Sequence, residues 1–304
     1  MHGNYAPNKL TNECDVLIAI GIRFDDRITG DLSRYAKQAK VVHIEIDPSE
    51  VSKNVHANIP VIADAKEALL ELRKIVDEKT HTDWLQKFRD LEKEEYELVI
   101  ENELYPSTEK LTMGEVINEI NIQSDHNNII VTDVGQHQMM SCRYFKFKQT
   151  KSMITSGGLG TMGFCLPAAI GAKMGQPNKQ VVAVIGDGGF QMTLQELGTM
   201  FQYGVDVKIV VLNNEFLGMV RQWQEMFFEK RYASTTMVNP NFQTIVSGYG
   251  ITTKKVENRD ELADAIKEML NHKGAYFLEA IVGKENNVFP MVPTGASVSE
   301  IRLK

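Results

Sequence analysis

The chain has 304 residues, of which 43% are hydrophobic and 24% are charged, a composition ordinary for a globular protein of about two domains. A net charge of -7 without a basic stripe argues against a nucleic-acid partner, and no apolar run approaches the roughly 18 residues of a membrane span. Three widely spaced cysteines without a CxxC pair suit a reducing, cytoplasmic location, and no secretory leader is visible.

The first predicted block, residues 1–78, has an α/β pattern. Apolar runs at 15–20 and 41–46 are typical of buried strands. A capping-box spacing at Asp64 predicts a helix whose apolar face continues to Val76. Because the block opens almost at once on a helix-and-strand pattern, we expect the chain to begin in the middle of a longer protein.

Charged residues, glutamate above all, dominate residues 79–108, which we predict to be a solvated helical connector ending near Pro106. Residues 109–304 form the second α/β block. Its predicted strands are 129–132, 181–185, 207–212, 252–256 and 276–281. Its predicted helices are 162–174, 193–203, 217–231 and 258–271.

Helix boundaries in the second block are predicted from capping residues. Thr112 with Glu115, and Thr193 with Glu196, have capping-box spacing, and Gly204 predicts a helix end. Strands that alternate with helices indicate a parallel sheet covered on both faces. The predicted fold is therefore α/β, with two doubly wound parallel-sheet domains joined by a helical linker.

Two oxygen-bearing side chains follow predicted strands of the second block. Asp187 lies between Gly186 and Gly188 directly after one strand, and Asn214 ends the next. The carboxyl ends of parallel strands meet at one edge of a sheet, where ligands bind. Aspartate and asparagine oxygens suit Mg²⁺, and the glycines let backbone N–H groups approach a phosphate. Either motif alone is more often a structural turn, but together they favour a metal–diphosphate site.

Two further turns carry glycines or polar residues. The segment 157–163 (GGLGTMG) contains a GxGxxG match, a weak dinucleotide signal here because no clear strand precedes it and no acidic partner follows it. A tight glycine turn near a cofactor fits this segment better. The segment 135–138 (GQHQ) follows a strand and suits a diphosphate, although His137 could simply cap a helix.

Met219, Val220 and Trp223 recur at helical spacing directly after Asn214. Such a stripe usually belongs to a core. Its position after the predicted metal ligand favours the mouth of an active site.

These motifs carry a resemblance to a known family. GDG (186–188), 24 intervening residues and NN (213–214) resemble the signature of thiamin-diphosphate (ThDP) dependent decarboxylases and synthases. More narrowly, the second block resembles the ThDP-binding domain of the acetohydroxyacid synthase (acetolactate synthase) catalytic subunit. The strings that carry this resemblance are VGQHQM (134–139), SGGLGTMGFCLPAAIGA (156–172), GDGGFQMTLQEL (186–197), NNEFLGMVRQWQ (213–224) and FPMVPTGAS (289–297).

The first block resembles the carboxyl part of the FAD-binding middle domain of the same family. The matching strings are MHG (1–3), GIRFDDRITG (21–30), HIEIDP (43–48) and ADA (63–65). The string at 21–30 favours the FAD-containing, anabolic form of the enzyme.

The resemblance implies three sets of site residues. The predicted Mg²⁺ ligands are the side chains of Asp187 and Asn214 and the backbone carbonyl of Phe216. The predicted ThDP contacts are Gly135, Gln136, His137, Gln138, Gly160, Met162, Gly186, Gly188, Gly189 and Met219. The predicted FAD contacts are His2, Gly3, Arg23, Asp25, Arg27, Glu45 and Asp64. A surface salt-bridge cluster is the alternative for the arginines and aspartates near position 25.

The resemblance further implies that Met162 is the apolar wedge that bends ThDP. It also implies that the substrate channel is lined by Met219, Val220 and Trp223. The implied reaction is ThDP-dependent decarboxylation of pyruvate and condensation with pyruvate or 2-oxobutyrate, in branched-chain amino acid biosynthesis. FAD is structural in this family, and a homodimer and a regulatory small subunit are the implied partners.

One part of the family pattern has no counterpart in the 304 residues. The amino-terminal pyrimidine domain supplies, from a partner subunit, the glutamate that activates ThDP. No catalytic residue is therefore assigned, and we expect the chain to be a fragment that is inactive alone. Alternatives are another ThDP-dependent decarboxylase, oxidase or carboligase, a non-catalytic cofactor-binding remnant and, more distantly, a nucleotide-dependent dehydrogenase.

Overall fold

The computed structural model describes residues 3–304, so the predicted FAD contact His2 lies outside the described residues. The chain divides into two compact units. The first unit runs to Glu101 and includes the tail Phe289–Lys304, and the second is Asn102–Val288. The division falls inside the predicted connector, and the tail groups with the first unit instead of the second.

The first unit contains a three-stranded parallel sheet with the strand order β1-β2-β3. Its elements in chain order are α1 (Tyr5–Thr11), β1 (Val16–Ile20), α2 (Asp26–Thr29), β2 (Lys40–Glu45), β3 (Ile59–Ile62), α3 (Ala65–Leu72) and α4 (Thr82–Glu95), followed by a π-helical turn at Tyr96–Ile100. The strands β1 and β2 were predicted, whereas β3 was not. Pro60 and a length of four residues gave β3 a weak strand signal.

Only one face of this sheet is buried within the unit. Ala19 of β1 and Val41 of β2 pack with Phe24 in a small apolar core. On the other face, Val16 and Ile18 are 47% and 56% exposed. The strand predicted at 15–20 is present, but the prediction that it is buried is wrong for one of its faces, because β1 alternates between a covered and an uncovered face.

The helix predicted after Asp64 is shorter than its apolar pattern. Asp64 caps it by accepting hydrogen bonds from the backbone N–H groups of Lys66 and Glu67. The helix ends at Leu72, and Val76, on which the longer prediction depended, is 66% exposed. The connector is helical, as predicted, up to Leu104 at the end of α5 (Glu101–Leu104).

The second unit is built on a six-stranded parallel sheet with the order β5-β4-β6-β7-β9-β8. Its strands are β4 (Ile129–Thr132), β5 (Met153–Thr155), β6 (Val181–Gly186), β7 (Lys208–Asn213), β8 (Thr252–Val256) and β9 (Tyr276–Ile281). Its helices are α6 (Met113–Gln123), α7 (Gln136–Tyr144), α8 (Cys165–Gly175), α9 (Asp187–Thr193), α10 (Leu197–Tyr203), α11 (Gly218–Phe227), α12 (Phe242–Ser247) and α13 (Arg259–Asn271). The parallel α/β architecture that we predicted is thus confirmed in both units.

The central strands β6 and β7 are apolar and almost fully buried, which is typical of a parallel sheet covered on both faces. After β4 the chain first adds β5 on one side and then crosses to β6 on the other. The carboxyl ends of β4 and β6 therefore flank a topological switch point, where open α/β sheets bind ligands.

The capping predictions have mixed outcomes. Thr112 and Glu115 form the predicted reciprocal capping box, and Gly204 ends α10 in a left-handed conformation. The predicted helix start at Thr193 is wrong, because helix already begins at Asp187. Thr193 Oγ1 donates instead to the carbonyl of Gly163, so tertiary contact overrides the local capping signal.

Candidate functional site

A cavity of about 230 Å³ lies in the second unit at the carboxyl ends of β4, β6 and β7. It is lined by Met113, Val134, Gly135, Gln136, His137, Gly160, Met162, Gly186, Asp187, Gly188, Gly189, Leu212, Asn214, Phe216, Leu217, Gly218, Met219 and Val220. Five segments far apart in sequence meet here. Four of them end or follow β4, β5, β6 and β7, and parallel strands end at the same edge of the sheet.

Asp187 begins α9 at one wall of the cavity and is 1% exposed. Burial raises the pKa of its carboxyl, while a hydrogen bond from the Asn239 side chain lowers that pKa. The Asn239 Nδ2 atom donates to Asp187 Oδ2 at 2.7 Å. Asp187 makes no ion pair with any residue in 3–304. A buried carboxylate with only neutral N–H donors is poorly compensated, which favours a cation at this position.

Asn214 directly follows β7, lines the same cavity as Asp187 and is almost fully buried. Its Oδ1 atom accepts from the backbone N–H of Phe216 at 3.2 Å, and its Nδ2 atom donates to Gln136 Oε1 at 3.4 Å. Glu215 between them has a φ of 57°, which turns the chain sharply. The turn brings the three predicted ligands, Asp187, Asn214 and Phe216, to one cavity, where carboxylate, amide and carbonyl oxygens suit Mg²⁺.

Among residues 3–304, no cluster of three or more His, Cys, Asp or Glu side chains could hold a metal. A metal beside Asp187 would therefore depend on amide and carbonyl oxygens and on oxygens of a bound ligand. Mg²⁺ is commonly held in this way, by one or two carboxylates together with substrate phosphates.

A polar network contacts the predicted metal ligand Asp187 and continues to β9. Asn239 Nδ2 also donates to Asn213 Oδ1 at 3.0 Å, and Asn213 Nδ2 donates to Glu279 Oε1 at 2.7 Å. Glu279 is a buried acid on β9 and accepts a second bond from Gln243. Because carboxylates only accept, Asp187 and Glu279 set the orientation of both amides between them.

Glycines line the cavity where a side chain would collide with a neighbour. A Cβ at Gly189 would overlap the Asp133 carboxylate, and a Cβ at Gly218 would overlap Gln136 Oε1. A Cβ at Gly135 or Gly186 would lie within about 3 Å of the His137 ring. At the glycine positions the cavity wall is backbone, which suits a phosphate-bearing ligand.

Of the segment 135–138, the first three residues line the cavity and Gln138 does not. Gln136 Nε2 donates to Gln222 Oε1 and to the carbonyl of Asn286, which joins α7 to α11 and to the segment after β9. His137 Nε2 contacts Asp133 Oδ1 at 2.5 Å. Gln138 donates to Thr155 and, unlike its neighbours, is not among the lining residues.

Apolar residues line the remaining part of the cavity. Met162, Met219 and Val220 are among its lining residues, and Gly160 has a φ of 65° in the loop before Met162. Trp223 lies one turn after Met219, packs against Phe227 at 5.1 Å between ring centroids, and is not a lining residue.

The predicted FAD contacts in the first unit are occupied by local interactions. Arg23 and Asp25 form an ion pair at 3.0 Å, as the salt-bridge alternative proposed, and Asp25 also caps α2. Glu45 Oε1 accepts from backbone N–H groups just after β2, and Asp64 caps α3.

The two remaining FAD candidates within the described residues are Gly3 and Arg27. Gly3 has a φ of 72°, and Arg27 lies 4.0 Å from Asp26. Glu45 and Asp64 nevertheless follow strand ends, the edge at which nucleotides bind in such sheets.

Several residues of the site were not predicted from sequence. Asp133 follows β4 just as Asp187 follows β6, so the pattern used for Asp187 could have identified it. Asn239 and Glu279 had no such signal. Asn239 lies in a loop after α11, and Glu279 is an acid within an apolar strand, so only the folded chain brings them to the site.

The sheet topology and the glycine-lined cavity are those of a cofactor-binding α/β enzyme, and family comparison identifies the class. Residues 133–280 match the thiamine pyrophosphate enzyme C-terminal TPP binding domain, and residues 1–72 match the thiamine pyrophosphate enzyme central domain. The chain belongs to the thiamine pyrophosphate enzyme family, and its homologues are acetolactate synthase large subunits.

Three relatives illustrate this similarity. The chain is 42% identical to the acetolactate synthase large subunit of Lactococcus lactis subsp. lactis (strain IL1403), over 99% of this chain and 52% of that protein. It is 40% identical to the acetolactate synthase isozyme 2 large subunit of Escherichia coli (strain K12), over 100% of this chain and 54% of that protein. It is 39% identical to acetolactate synthase 2, chloroplastic, of Nicotiana tabacum, over 99% of this chain and 47% of that protein.

The chain thus spans about half the length of the curated relatives that it matches. No helix within residues 3–304 is long and apolar enough to cross a membrane.

Proposed function

We propose that this chain is the ThDP- and Mg²⁺-binding part of an acetolactate synthase. The observation that carries the proposal is a cavity at the switch point of the second sheet, which brings Asp187, Asn214 and Phe216 together with the glycine turns. Homologues that are acetolactate synthase large subunits support the reaction class.

In the proposed site, Asp187 and Asn214 hold Mg²⁺ through side-chain oxygens and Phe216 through its carbonyl. The glycine turns, with Gln136 and His137, hold the diphosphate, because they present backbone N–H groups and polar side chains to one cavity wall. Gln138 points to Thr155 instead, so its proposed contact with the diphosphate requires a rotamer change.

ThDP, when bound, supplies the electron sink for decarboxylating a 2-oxo acid. The chain's own contribution is to bind, orient and exclude water. Met162 and Met219 give the organic part of the cofactor an apolar wall. We propose pyruvate as first substrate and pyruvate or 2-oxobutyrate as second, with Val220 and Trp223 beside the channel. Because Trp223 is outside the cavity lining, its role would be at the mouth of the channel.

The remaining cofactor and partners are proposed from family resemblance. FAD would contact the first unit near Arg23, Asp25, Arg27, Glu45 and Asp64. The enzyme would be a cytoplasmic homodimer, with a regulatory small subunit as a further partner.

We propose that residues 1–304 alone do not catalyse the reaction. Among the lining residues the only carboxylate is Asp187, which is committed to the metal, so an activating acid must come from another segment or subunit. Formation of acetolactate from pyruvate by the purified chain, with ThDP and Mg²⁺ added, would overturn this proposal.

Calorimetric titration of the chain with ThDP and Mg²⁺ tests the cofactor site. We expect Mg²⁺-dependent binding that Asp187→Ala abolishes. Asp125→Ala, which removes an exposed aspartate elsewhere in the second unit, is the matched control and should bind like the wild type. Equal binding by wild type and Asp187→Ala would remove Asp187 from the metal site, and no binding by the wild type would mean that this chain alone does not form the site.

A further inference from the structure

The loop that follows β7, here called the Phe216 loop, comprises Glu215, Phe216 and Leu217. It forms an antiparallel bridge with a segment that precedes α12. The Leu217 N–H donates to the Thr235 carbonyl at 2.8 Å, and the Met237 N–H donates to the Glu215 carbonyl at 2.9 Å. Neither bond uses the carbonyl of Phe216, which therefore stays available to a ligand in the cavity that this residue lines.

The side chain of Phe216 packs against the guanidinium of Arg221, in the first turn of α11. The Arg221 Cζ atom lies 4.2 Å from the centroid of the Phe216 ring and 3.8 Å from the centroid of the Tyr232 ring. Its side chain is 14% exposed, and Nη2 donates to Glu285 Oε1 at 2.7 Å. Cation–π contacts strengthen when water is excluded, so this arginine ties the Phe216 loop to α11 and to the segment after β9.

A second charged contact at the Phe216 loop is weaker. Lys284 forms an ion pair with Glu215, and its Nζ atom lies 5.5 Å from the centroid of the Phe216 ring. The two side chains of that pair are 51% and 48% exposed, and ion pairs exposed to this extent contribute little. Arg221 is less exposed and has a planar cation that stacks on aromatic rings, so it is the stronger contact of the two.

We propose that Arg221 is a positioning residue that fixes the Phe216 loop, and with it the Phe216 carbonyl, for Mg²⁺. This proposal rests on the proposed function. Arg221 is not among the residues that line the cavity, so it acts through the ring of Phe216. Mg²⁺ requires near-ideal octahedral geometry, and a carbonyl on a loosened loop is therefore a poorer ligand.

The change Arg221→Lys separates stacking from charge. Lysine keeps the positive charge and can still pair with Glu285, but its ammonium has no planar face to cover a ring. Glu285→Gln is the converse change, because it removes the ion pair and leaves the guanidinium on the rings. The matched control is Arg231→Lys, at an exposed arginine whose Nε atom donates to the carbonyl of Phe228.

The first test needs no ligand. Hydrogen exchange followed by mass spectrometry compares peptides that contain the Phe216 loop and its bridge partner with a peptide that contains β6. We expect severalfold faster exchange at the loop and its partner in Arg221→Lys, with β6 unchanged, because only the local bridge is loosened. Exchange equal to that of the wild type overturns the proposal, as does faster exchange in β6 as well, which would indicate a global loss of stability.

The second test measures binding of inorganic pyrophosphate with Mg²⁺ by calorimetry. We expect Arg221→Lys to weaken binding about tenfold, the scale of an outer-shell partner of a metal ligand. In a Phe216→Leu background the same change should add little, because Arg221 acts through the ring of Phe216. Glu285→Gln should lose less affinity than Arg221→Lys, and Arg231→Lys should bind like the wild type.

Additive losses in the double variant would overturn the action of Arg221 through Phe216. A loss in Glu285→Gln as large as in Arg221→Lys would overturn the role of stacking. Absence of pyrophosphate binding by the wild type would count against the metal–diphosphate site of the proposed function. In that case the exchange rates of the unliganded chain still decide whether Arg221 fixes the Phe216 loop.

Discussion

At the residue scale, Asn239 supplies a side-chain donor to the predicted metal ligand Asp187, beside backbone N–H donors. Its amide donates to Asp187 Oδ2 and to Asn213 Oδ1, and its own oxygen accepts from Gln191. The arrangement orients the Asp187 carboxylate without adding charge. In a low-dielectric site the bonds of such a network strengthen one another.

We expect Asn239→Ala to weaken Mg²⁺-dependent pyrophosphate binding about tenfold, because Asp187 loses its side-chain donor and keeps only backbone donors. Calorimetry at several Mg²⁺ concentrations would measure this loss. Asn271→Ala removes an exposed asparagine that bonds only within α13 and is the matched control. Equal affinity in Asn239→Ala and the wild type would show that Asp187 is positioned by its backbone alone.

Glu103 makes a pH-dependent contribution to the stability of the folded chain. Burial raises the pKa of its carboxyl to about 7, against a smaller lowering by the hydrogen bond from the Gly114 N–H. Because the folded-state pKa lies above the unfolded value, the folded chain binds the extra proton between about pH 4.5 and 7. The contribution of this residue to stability is therefore complete below that window and is lost as pH rises through it.

We expect Glu103→Gln to be more stable than the wild type at pH 8 by roughly 1–3 kcal/mol and to show a flatter stability profile from pH 4.5 to 7. Urea unfolding at several pH values would measure the difference. The exposed Glu109→Gln is the control and should follow the wild-type profile. Parallel profiles for Glu103→Gln and the wild type would show that the folded-state pKa of Glu103 is ordinary.

At the scale of elements, a buried lysine ties the start of β7 to the loop before β9. Lys208 Nζ donates to Asp206 Oδ1 and to the carbonyls of His272 and Gly274, and its side chain is 3% exposed. Three acceptors use all three hydrogens of the ammonium. The charge is thereby compensated, and the register of two neighbouring strands is held at their amino ends.

We expect Lys208→Met to lower the free energy of unfolding by about 2–4 kcal/mol, because it leaves Asp206 and two carbonyls without their donor. Chemical denaturation would measure the loss. Lys267→Met on the exposed face of α13 should change stability by less than about 0.5 kcal/mol. A loss at Lys208 no larger than at Lys267 would indicate that water replaces the ammonium.

At the scale of the whole molecule, each unit buries its sheet to a different extent. In the second unit both faces of β6 and β7 are covered. In the first unit Ile18 and Ile59 lie on one face, joined in register through Val42, and are 56% and 53% exposed. Apolar patches of this kind promote association.

We expect the chain to bind a hydrophobic fluorescent dye and to self-associate through this face. The double change Ile18→Thr with Ile59→Thr should reduce both, while stability changes by no more than about 0.5 kcal/mol per site, since threonine retains strand propensity. Dye fluorescence and sedimentation velocity would measure the effects. Ile122→Thr, at an exposed isoleucine of α6, is the control, and equal association in all three proteins would exclude this face.

Local patterns in the sequence determined the parallel α/β architecture, the capping box at Thr112 and the strand-end positions of Asp187 and Asn214. These features depend on hydrophobic periodicity and on short-range hydrogen bonds, and both involve residues that are close together in the sequence. The position of a strand end also predicts which edge of the sheet a residue occupies.

Only the tertiary structure decided how those residues are supported. Asp133 meets Gly163 across 30 positions of sequence, and Asn213 meets Glu279 across 66. It also decided that helix begins at Asp187 instead of Thr193, and that one face of β1 is uncovered in its unit. Such contacts depend on which chain segments share a sheet edge, and that information is distributed over the whole fold and absent from any local window.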